Sequence, residues 1–220
     1  MLVSQIIETN FPLLHLTDKV SFALHLMDDY NVQHLAVVAE EKLTGIISKD
    51  ILLEEDEDTF ISGVQDQFIQ ASVLSHEHFL SAVKLVAGMG DISLIPVVNE
   101  TKEVLGIITS KKLIHAASIF NAVEEPGGMI VLEMDKRNFS FGELSRLIET
   151  NDAYITQLNT YTETSTGLLQ VTIKINKIEI SDVLATLQRY DYSIRYYFGE
   201  ELYENELKEN LDLLMAYLNI

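Results

Sequence analysis

The chain has 220 residues, of which 34 are acidic and 15 are basic, so its formal net charge at neutral pH is −19. A field of that sign repels phosphate backbones and anionic lipid, which argues against direct binding to nucleic acid or membrane surfaces. The absence of cysteine excludes structural disulfides and thiol chemistry. Since no signal-peptide pattern and no apolar run of roughly 18 residues occurs, the sequence predicts a soluble cytoplasmic protein.

An eight-residue motif occurs twice in the first half of the chain. It reads GIISKDIL at Gly45–Leu52 and GIITSKKL at Gly106–Leu113. Each copy follows a helical pattern of apolar residues, a polar break and a short β-rich run, which lie in Leu16–Val38 and Leu74–Val98. Each unit is therefore predicted to be helix–strand–strand–helix with a short extended lead-in. Because one unit leaves an apolar sheet face uncovered, we expect the two units to bury these faces against each other.

The two units predict two domains, at residues 1–58 and 59–123. The acidic run Glu54–Asp58 at their junction is typical of a solvated helix end or a linker. Carboxylates are also hard ligands for metals, but the run lacks the central glycine and the alternating ligand spacing of a calcium loop. His76 and His78 lack a third ligand nearby. The sequence therefore predicts no metal site.

A second boundary lies at residues 124–128, where the linker-like sequence EEPGG interrupts the pattern. Residues 129–199 then predict four strands and two helices in the order βαββαβ, which is the ferredoxin-like arrangement. Residues 200–220 carry leucines at steps of three and four, which predicts an amphipathic helix. That helix either packs on its own domain or forms a dimer seam. The predicted fold class is α+β.

The paired motif, with its strand runs HLAVV and LIPVV, resembles the CBS domain, and the tandem copies resemble a CBS-domain pair, or Bateman module. The C-terminal part is similar to an ACT domain through FGELSRLIETNDAYI. In that stretch Phe141 stands where ACT domains often have a proline, just before Gly142. The order of a CBS pair followed by an ACT-like domain resembles the bacterial acetoin-utilisation regulatory proteins.

CBS pairs commonly bind adenosine nucleotides between their repeats, so the resemblance implies AMP, ADP, ATP or S-adenosylmethionine as a regulatory ligand. In the family's corner Gly-h-h-Thr/Ser-x-x-Asp, the hydroxyl contacts phosphate or ribose and the aspartate binds the ribose diol. Ser48 and Thr109 fill the hydroxyl position. The aspartate position holds Ile51 and Lys112 instead. Asp50 comes one residue too early, which turns its side chain by about 100° on a helix.

Several interpretations of these clefts stay open. Without the aspartate, a ribose diol lacks a hydrogen-bond acceptor, which costs on the order of 1–3 kcal/mol. The clefts therefore bind a nucleotide weakly, bind a different ligand, or have only a structural role. Lys112 either meets a phosphate as a point charge or is an exposed helix residue. The resemblance also places His34, Leu35 and Pro96 at the cleft edges.

In ACT domains, small ligands that are often amino acids bind at the first strand-to-helix corner. The candidate residues there are Asn138, Phe141, Gly142 and Glu143. Backbone N–H groups at the helix start can receive a carboxylate, although Glu143 adds unfavourable negative charge.

No nucleophile elbow, Walker loop or catalytic triad is recognisable. We expect a non-enzymatic regulatory protein, a homodimer, that binds a small ligand and acts on an unidentified protein partner. The alternatives are an amino-acid sensor that uses the ACT-like domain and a ligand-free interaction scaffold.

Overall fold

The structure is a computed structural model that describes residues 1–199 of the chain. The chain divides into two compact units, Met1–Phe120 and a second unit that begins at Asn121. The helix predicted at 200–220 lies outside the described residues. Within residues 1–199, every helix is too short or too polar to cross a bilayer.

The first unit contains two repeats with the same order of elements. The first repeat consists of β1 (Leu14–His15), α1 (Val20–Asp29), β2 (His34–Ala39), β3 (Lys42–Ser48) and α2 (Lys49–Leu53). The second repeat consists of β4 (Val73–Leu74), α3 (Leu80–Met89), β5 (Leu94–Val98), β6 (Val104–Thr109) and α4 (Ser110–Phe120). This order confirms the predicted helix–strand–strand–helix unit with a short extended lead-in.

Each repeat forms a three-stranded sheet, β1-β2-β3 or β4-β5-β6, in which the first pair of strands is parallel and the second is antiparallel. The middle strands β2 and β5 are buried along nearly their whole length, which explains their apolar sequences. A shared cluster of buried residues joins the repeats: Ile46, Ala71, Ile92, Leu94 and Ile107. The two sheets therefore cover each other, as the repeat predicted.

The segments that precede the repeats cross over and pair with the opposite repeat. Glu8, before the first repeat, exchanges two backbone hydrogen bonds of 2.8 and 3.0 Å with Ile107 in β6. Ile69, before the second repeat, exchanges bonds of 2.9 and 2.8 Å with Ile46 in β3. This crossing ties the two repeats into one unit.

The crossing explains the glycine that opens each copy of the motif. A Cβ atom at Gly106 would lie 2.7 Å from the carbonyl oxygen of Glu8. A Cβ atom at Gly45 would lie 2.7 Å from the Cβ atom of Phe68. Both distances are far below van der Waals contact, so only glycine lets the crossing segment approach its strand.

The second unit has the order βαββαβ. Its elements are β7 (Met129–Met134), α5 (Phe141–Glu149), β8 (Ile155–Thr162), β9 (Leu169–Ile175), α6 (Ser181–Arg189) and β10 (Ser193–Phe198). The antiparallel sheet has the strand order β10-β7-β9-β8, which is the ferredoxin-like topology. Leu144, Leu147 and Ile148 of α5 are buried in its core, as their spacing on one helix face predicted.

Candidate functional site

A cavity of about 1080 Å³ opens between the two repeats, where α4 begins. Its wall is formed by residues 7–11, 30–32 and 109–112, together with Ser93 and His115. We call it the Thr109 cleft. Because both repeats and a crossing segment contribute to its wall, a molecule bound in it would contact both halves of the first unit.

Thr109 lies at the end of β6 and caps the helix that follows. Its Oγ1 accepts a hydrogen bond from the backbone N–H of Lys112 at 3.2 Å. The same hydroxyl donates to Oε1 of Glu8 at 2.9 Å. The structure therefore places Thr109 and Lys112 together at one corner, as the sequence pattern required, and adds a carboxylate that the sequence interpretation did not include.

The first turns of α4 give the Thr109 cleft a local positive charge. Lys111, Lys112 and His115 line the cavity and are exposed. Glu8 is the one acidic side chain among the described cavity residues. In a chain with a net charge of −19, this cluster supplies the local donors that an anionic ligand needs.

Another part of the same wall is aromatic and apolar. The rings of Phe11 and Tyr30 meet edge to face, with centroids 5.2 Å apart. Tyr30 is 47% exposed, so part of its ring is free to contact a ligand. Together with the cavity residues Ile7 and Val32, these rings offer a surface for a planar, weakly polar group.

The corner of the first repeat has the same scaffold but the opposite charge. Ser48 caps α2 by accepting a hydrogen bond from the N–H of Ile51 at 3.4 Å. The strand registers place Ser48 opposite His34 and Thr109 opposite Leu94, so these residues correspond. Counting from each hydroxyl, Lys111 and His115 of α4 correspond to Asp50 and Glu54.

His34 lies where the two repeats touch. It is largely buried, and its Nδ1 accepts a hydrogen bond from the backbone N–H of Ser93 at 3.2 Å. The hydroxyl of Ser93 lies 3.1 Å from the same nitrogen. Burial lowers the pKa of His34 below 6.5, and the carboxylates of Asp50 and Asp91 oppose that shift. His34 therefore joins the two repeats through Ser93, and its burial favours the neutral form of the imidazole ring.

The remaining predicted cleft residues occupy core or surface positions. Leu35 is fully buried in the hydrophobic core of the first repeat. Pro96 is buried in β5, opposite Ile107. Asp50 is exposed near the start of α2. Of the predicted nucleotide contacts, the Thr109 cleft therefore brings together Thr109 and Lys112.

Glu8 is the residue that sequence reasoning missed. Neither the repeat nor the local pattern shows that the segment before the first repeat pairs with the second. The repeat offered one indirect signal, since a glycine inside a strand often marks a close backbone approach.

The corner of the second unit forms a separate, smaller cavity of about 370 Å³. Asn138 and Glu143 line it, together with the further acidic residues Glu133 and Asp191. Burial and the neighbouring Glu143 raise the pKa of Tyr192, another residue of this wall. The acidic lining opposes the binding of a carboxylate.

The other two predicted corner residues lie at the start of α5. Phe141 is 54% exposed. A Cβ atom at Gly142 would meet nothing within 4 Å, so no close backbone approach depends on this glycine.

No metal cluster is found within residues 1–199, where no group of three histidine, cysteine, aspartate or glutamate side chains could hold an ion. His78 instead packs against the rings of Phe79 and Phe120, with centroid distances of 5.0 and 5.8 Å.

Comparison with known families and structures supports the fold of the first unit. The family model described as CBS domain matches residues 3–58 and 71–119. A CBS domain pair/ACT domain protein from Thermotoga maritima is 21% identical over 55% of this chain and 98% of its own, with a TM-score of 0.50. This similarity shows a shared fold.

Two further solved structures are similar over the same half of the chain. A candidate acetoin utilization protein from Vibrio cholerae is 23% identical over 57% of this chain and 96% of its own, with a TM-score of 0.49. The protein CBSX2, solved in complex with AMP, is 20% identical over 54% of this chain and 97% of its own, with a TM-score of 0.44.

Proposed function

We propose that residues 3–58 and 71–119, which the CBS-domain model matches, form a CBS-domain pair, and that the protein is a cytoplasmic, non-enzymatic sensor that binds an adenosine nucleotide in the Thr109 cleft. One observation carries this proposal. A hydroxyl-capped helix start and three basic side chains, Lys111, Lys112 and His115, meet in one large cavity of a strongly acidic chain.

The charges of the cleft match the parts of a nucleotide. The phosphate group would lie at the first turn of α4, where the positive end of the helix dipole and two lysines attract negative charge. The base would lie against Phe11 and Tyr30, because aromatic rings stack favourably on a planar heterocycle. A ligand held at both ends contacts the two repeats at once. Its binding would favour one arrangement of the repeats over another and so change the surface offered to a partner protein.

We expect one nucleotide for each chain. At the corner of the first repeat, Asp50 and Glu54 replace the basic residues of the Thr109 cleft, and Asp91 adds a third carboxylate near His34. These three negative charges repel a phosphate group, and Lys49 at the start of α2 is already paired with Asp28.

Sensing of an amino acid by the ACT-like domain is a weaker alternative. The corner of that domain is lined by Glu133, Glu143 and Asp191, which oppose the carboxylate of an amino acid. A ligand-free scaffold is the remaining alternative, and it predicts that no nucleotide binds.

The proposal includes a homodimer built on the second helices of the two repeats. Leu53 of α2 and Ile114 of α4 are 63% and 71% exposed and occupy corresponding positions. Exposed apolar side chains at matched positions favour a symmetric contact with a second copy. The molar mass from light scattering would then be twice that of the 24.9 kDa chain.

The direct test of nucleotide binding is isothermal titration calorimetry of the full chain with AMP, ADP, ATP and S-adenosylmethionine. We expect a stoichiometry near one for the phosphate-containing ligands. The double variant Lys111→Gln/Lys112→Gln should bind AMP about tenfold more weakly, because it loses charge-assisted contacts that solvent partly screens.

The matched control is Lys84→Gln, which removes an exposed lysine of α3 that does not line the cavity. It should leave the affinity for AMP unchanged. Failure of every nucleotide to bind would overturn the proposal, as would equal losses of affinity in the control and the double variant.

A further inference from the structure

We propose that Glu8 reads the ribose of the nucleotide, so that the Thr109 cleft selects ribonucleotides over deoxyribonucleotides; this inference rests on the proposed function. The cleft needs such a residue because Lys112 stands where CBS pairs have an aspartate. An ammonium group donates hydrogen bonds and accepts none, so Lys112 cannot bind the two hydroxyl donors of a ribose diol.

The position of Glu8 is fixed by its backbone. Its N–H and C=O both bond to Ile107, at 2.8 and 3.0 Å, and Gly106 lets the two backbones approach. The side chain is partly buried in the cavity wall. A carboxylate held in this way needs little further ordering when a ligand binds, which favours affinity.

The side chain of Glu8 lies at the correct corner. Its Oε1 accepts from the hydroxyl of Thr109 at 2.9 Å, and that hydroxyl caps the helix whose first turn carries Lys111 and Lys112. An ionised carboxylate has about four lone-pair positions, so one bond to Thr109 leaves capacity for a vicinal diol. Glu8 therefore supplies the acceptor that the helix has lost, from a different segment of the chain.

The distribution of charge in the cleft supports this role. Lys111 and Lys112 attract an anion, while Glu8 attracts neutral hydroxyl donors and repels an anion. One ligand that satisfies both requirements has a phosphate group at one end of a sugar that carries free hydroxyls.

The corner of the first repeat serves as an internal comparison. There the residue that pairs with the strand in the way Glu8 does is Ile69, and the helix position corresponding to Lys112 is Ile51. Both side chains are apolar, so that corner has lost the aspartate without gaining a carboxylate on the crossing segment. The replacement is specific to the cleft that carries the basic residues.

The test compares AMP with 2′-deoxy-AMP and 3′-deoxy-AMP by calorimetry on the full chain. The unaltered protein should bind AMP about tenfold more tightly than either deoxy analogue, because each analogue loses one charge-assisted hydrogen bond. The variant Glu8→Gln keeps an acceptor for Thr109 but loses the charge, and it should bind all three nucleotides with affinities within about twofold of each other. Glu8→Asp, which keeps the charge on a shorter side chain, should retain part of the preference for AMP.

Glu77→Gln is the matched control, since Glu77 is a partly buried glutamate of the same unit outside the cavity. It should keep the full preference for AMP. A preference retained in Glu8→Gln, or tighter binding of all three nucleotides by that variant, would overturn the role of Glu8 while leaving nucleotide binding intact. Equal binding of AMP and its analogues by the unaltered protein would do the same. If no nucleotide binds to the unaltered protein, the proposed function fails together with this inference.

Discussion

The two repeats of the first unit are alike where the crossing segments constrain them, and they differ in the charges at the starts of their second helices. Gly45 and Gly106 both meet a crossing segment at a distance that no Cβ atom could occupy. However, two residues after the capping hydroxyl, Asp50 in the first repeat corresponds to Lys111 in the second. The two repeats therefore share a scaffold but carry opposite charges at the starts of their second helices. The ability to bind an anion therefore has to be judged separately for each repeat.

The largest effect should come from the scaffold positions. We expect Gly106→Ala and Gly45→Ala each to lower the free energy of unfolding by about 1–3 kcal/mol, because each added Cβ overlaps an atom that cannot move freely. At roughly 2–4 °C for each kcal/mol, thermal unfolding would show the loss. The loss at Gly106 should be at least as large, since the overlap there is with a backbone oxygen.

Gly88→Ala is the control for these two variants. A Cβ atom at Gly88, inside α3, would meet nothing within 4 Å, so alanine there should stabilise the protein by about 0.4–1 kcal/mol. An unchanged unfolding temperature in Gly106→Ala would contradict the crossing of the lead-in segments.

A smaller effect should distinguish the two capping hydroxyls. Ser48→Ala and Thr109→Ala each remove a helix cap, which costs about 1 kcal/mol, and the second also removes the bond to Glu8. The affinity for AMP should fall about fivefold in Thr109→Ala alone, because Glu8 loses the hydrogen bond that orients its carboxylate in the Thr109 cleft. Calorimetry measures both variants, with Thr109→Ser as the control that keeps the hydroxyl. An equal loss of affinity in Ser48→Ala would mean that both clefts bind the nucleotide.

The sequence predicted those features that depend on local pattern. Alternating apolar residues such as Leu169, Val171 and Ile173 predicted β9, and the spacing of Leu144 and Leu147 predicted the buried face of α5. The repeated motif predicted two similar sheets whose apolar faces cover each other. These predictions succeeded because periodicity within one element decides which face is buried.

Features that depend on contacts between distant segments could not be predicted. The pairing of Glu8 with Ile107 is a single bridge across most of the first unit, and a single bridge has no periodic signal. The acidic lining of the corner in the second unit was only partly visible, since Glu133 and Asp191 come from other strands and turns than Glu143. Leu35 shows the converse problem, because a residue next to a cleft in the sequence can point entirely into the core.

The smallest expected effect concerns His34, which corresponds to the apolar Leu94 in the other repeat. Burial lowers the pKa of His34 below its ordinary 6.5 in the folded protein, so between these two values the unfolded chain binds the proton more readily. The stabilising contribution of neutral His34 is therefore present above pH 6.5 and is lost as the pH falls toward the lower, folded pKa. Protonation would also remove the lone pair of Nδ1 that accepts the N–H of Ser93.

We therefore expect the chain to unfold at a lower temperature at pH 5.5 than at pH 7.5, and His34→Gln to reduce that difference. Asp50→Asn should enlarge it, because Asp50 opposes the shift and its neutralisation lowers the folded pKa of His34 further. Opposite changes in the two variants would assign the pH dependence to the contact between the repeats. If the difference between the two unfolding temperatures is unchanged in His34→Gln, other titratable groups cause the pH dependence. The replacement of leucine by histidine at this position would then have no effect on the pH dependence of stability.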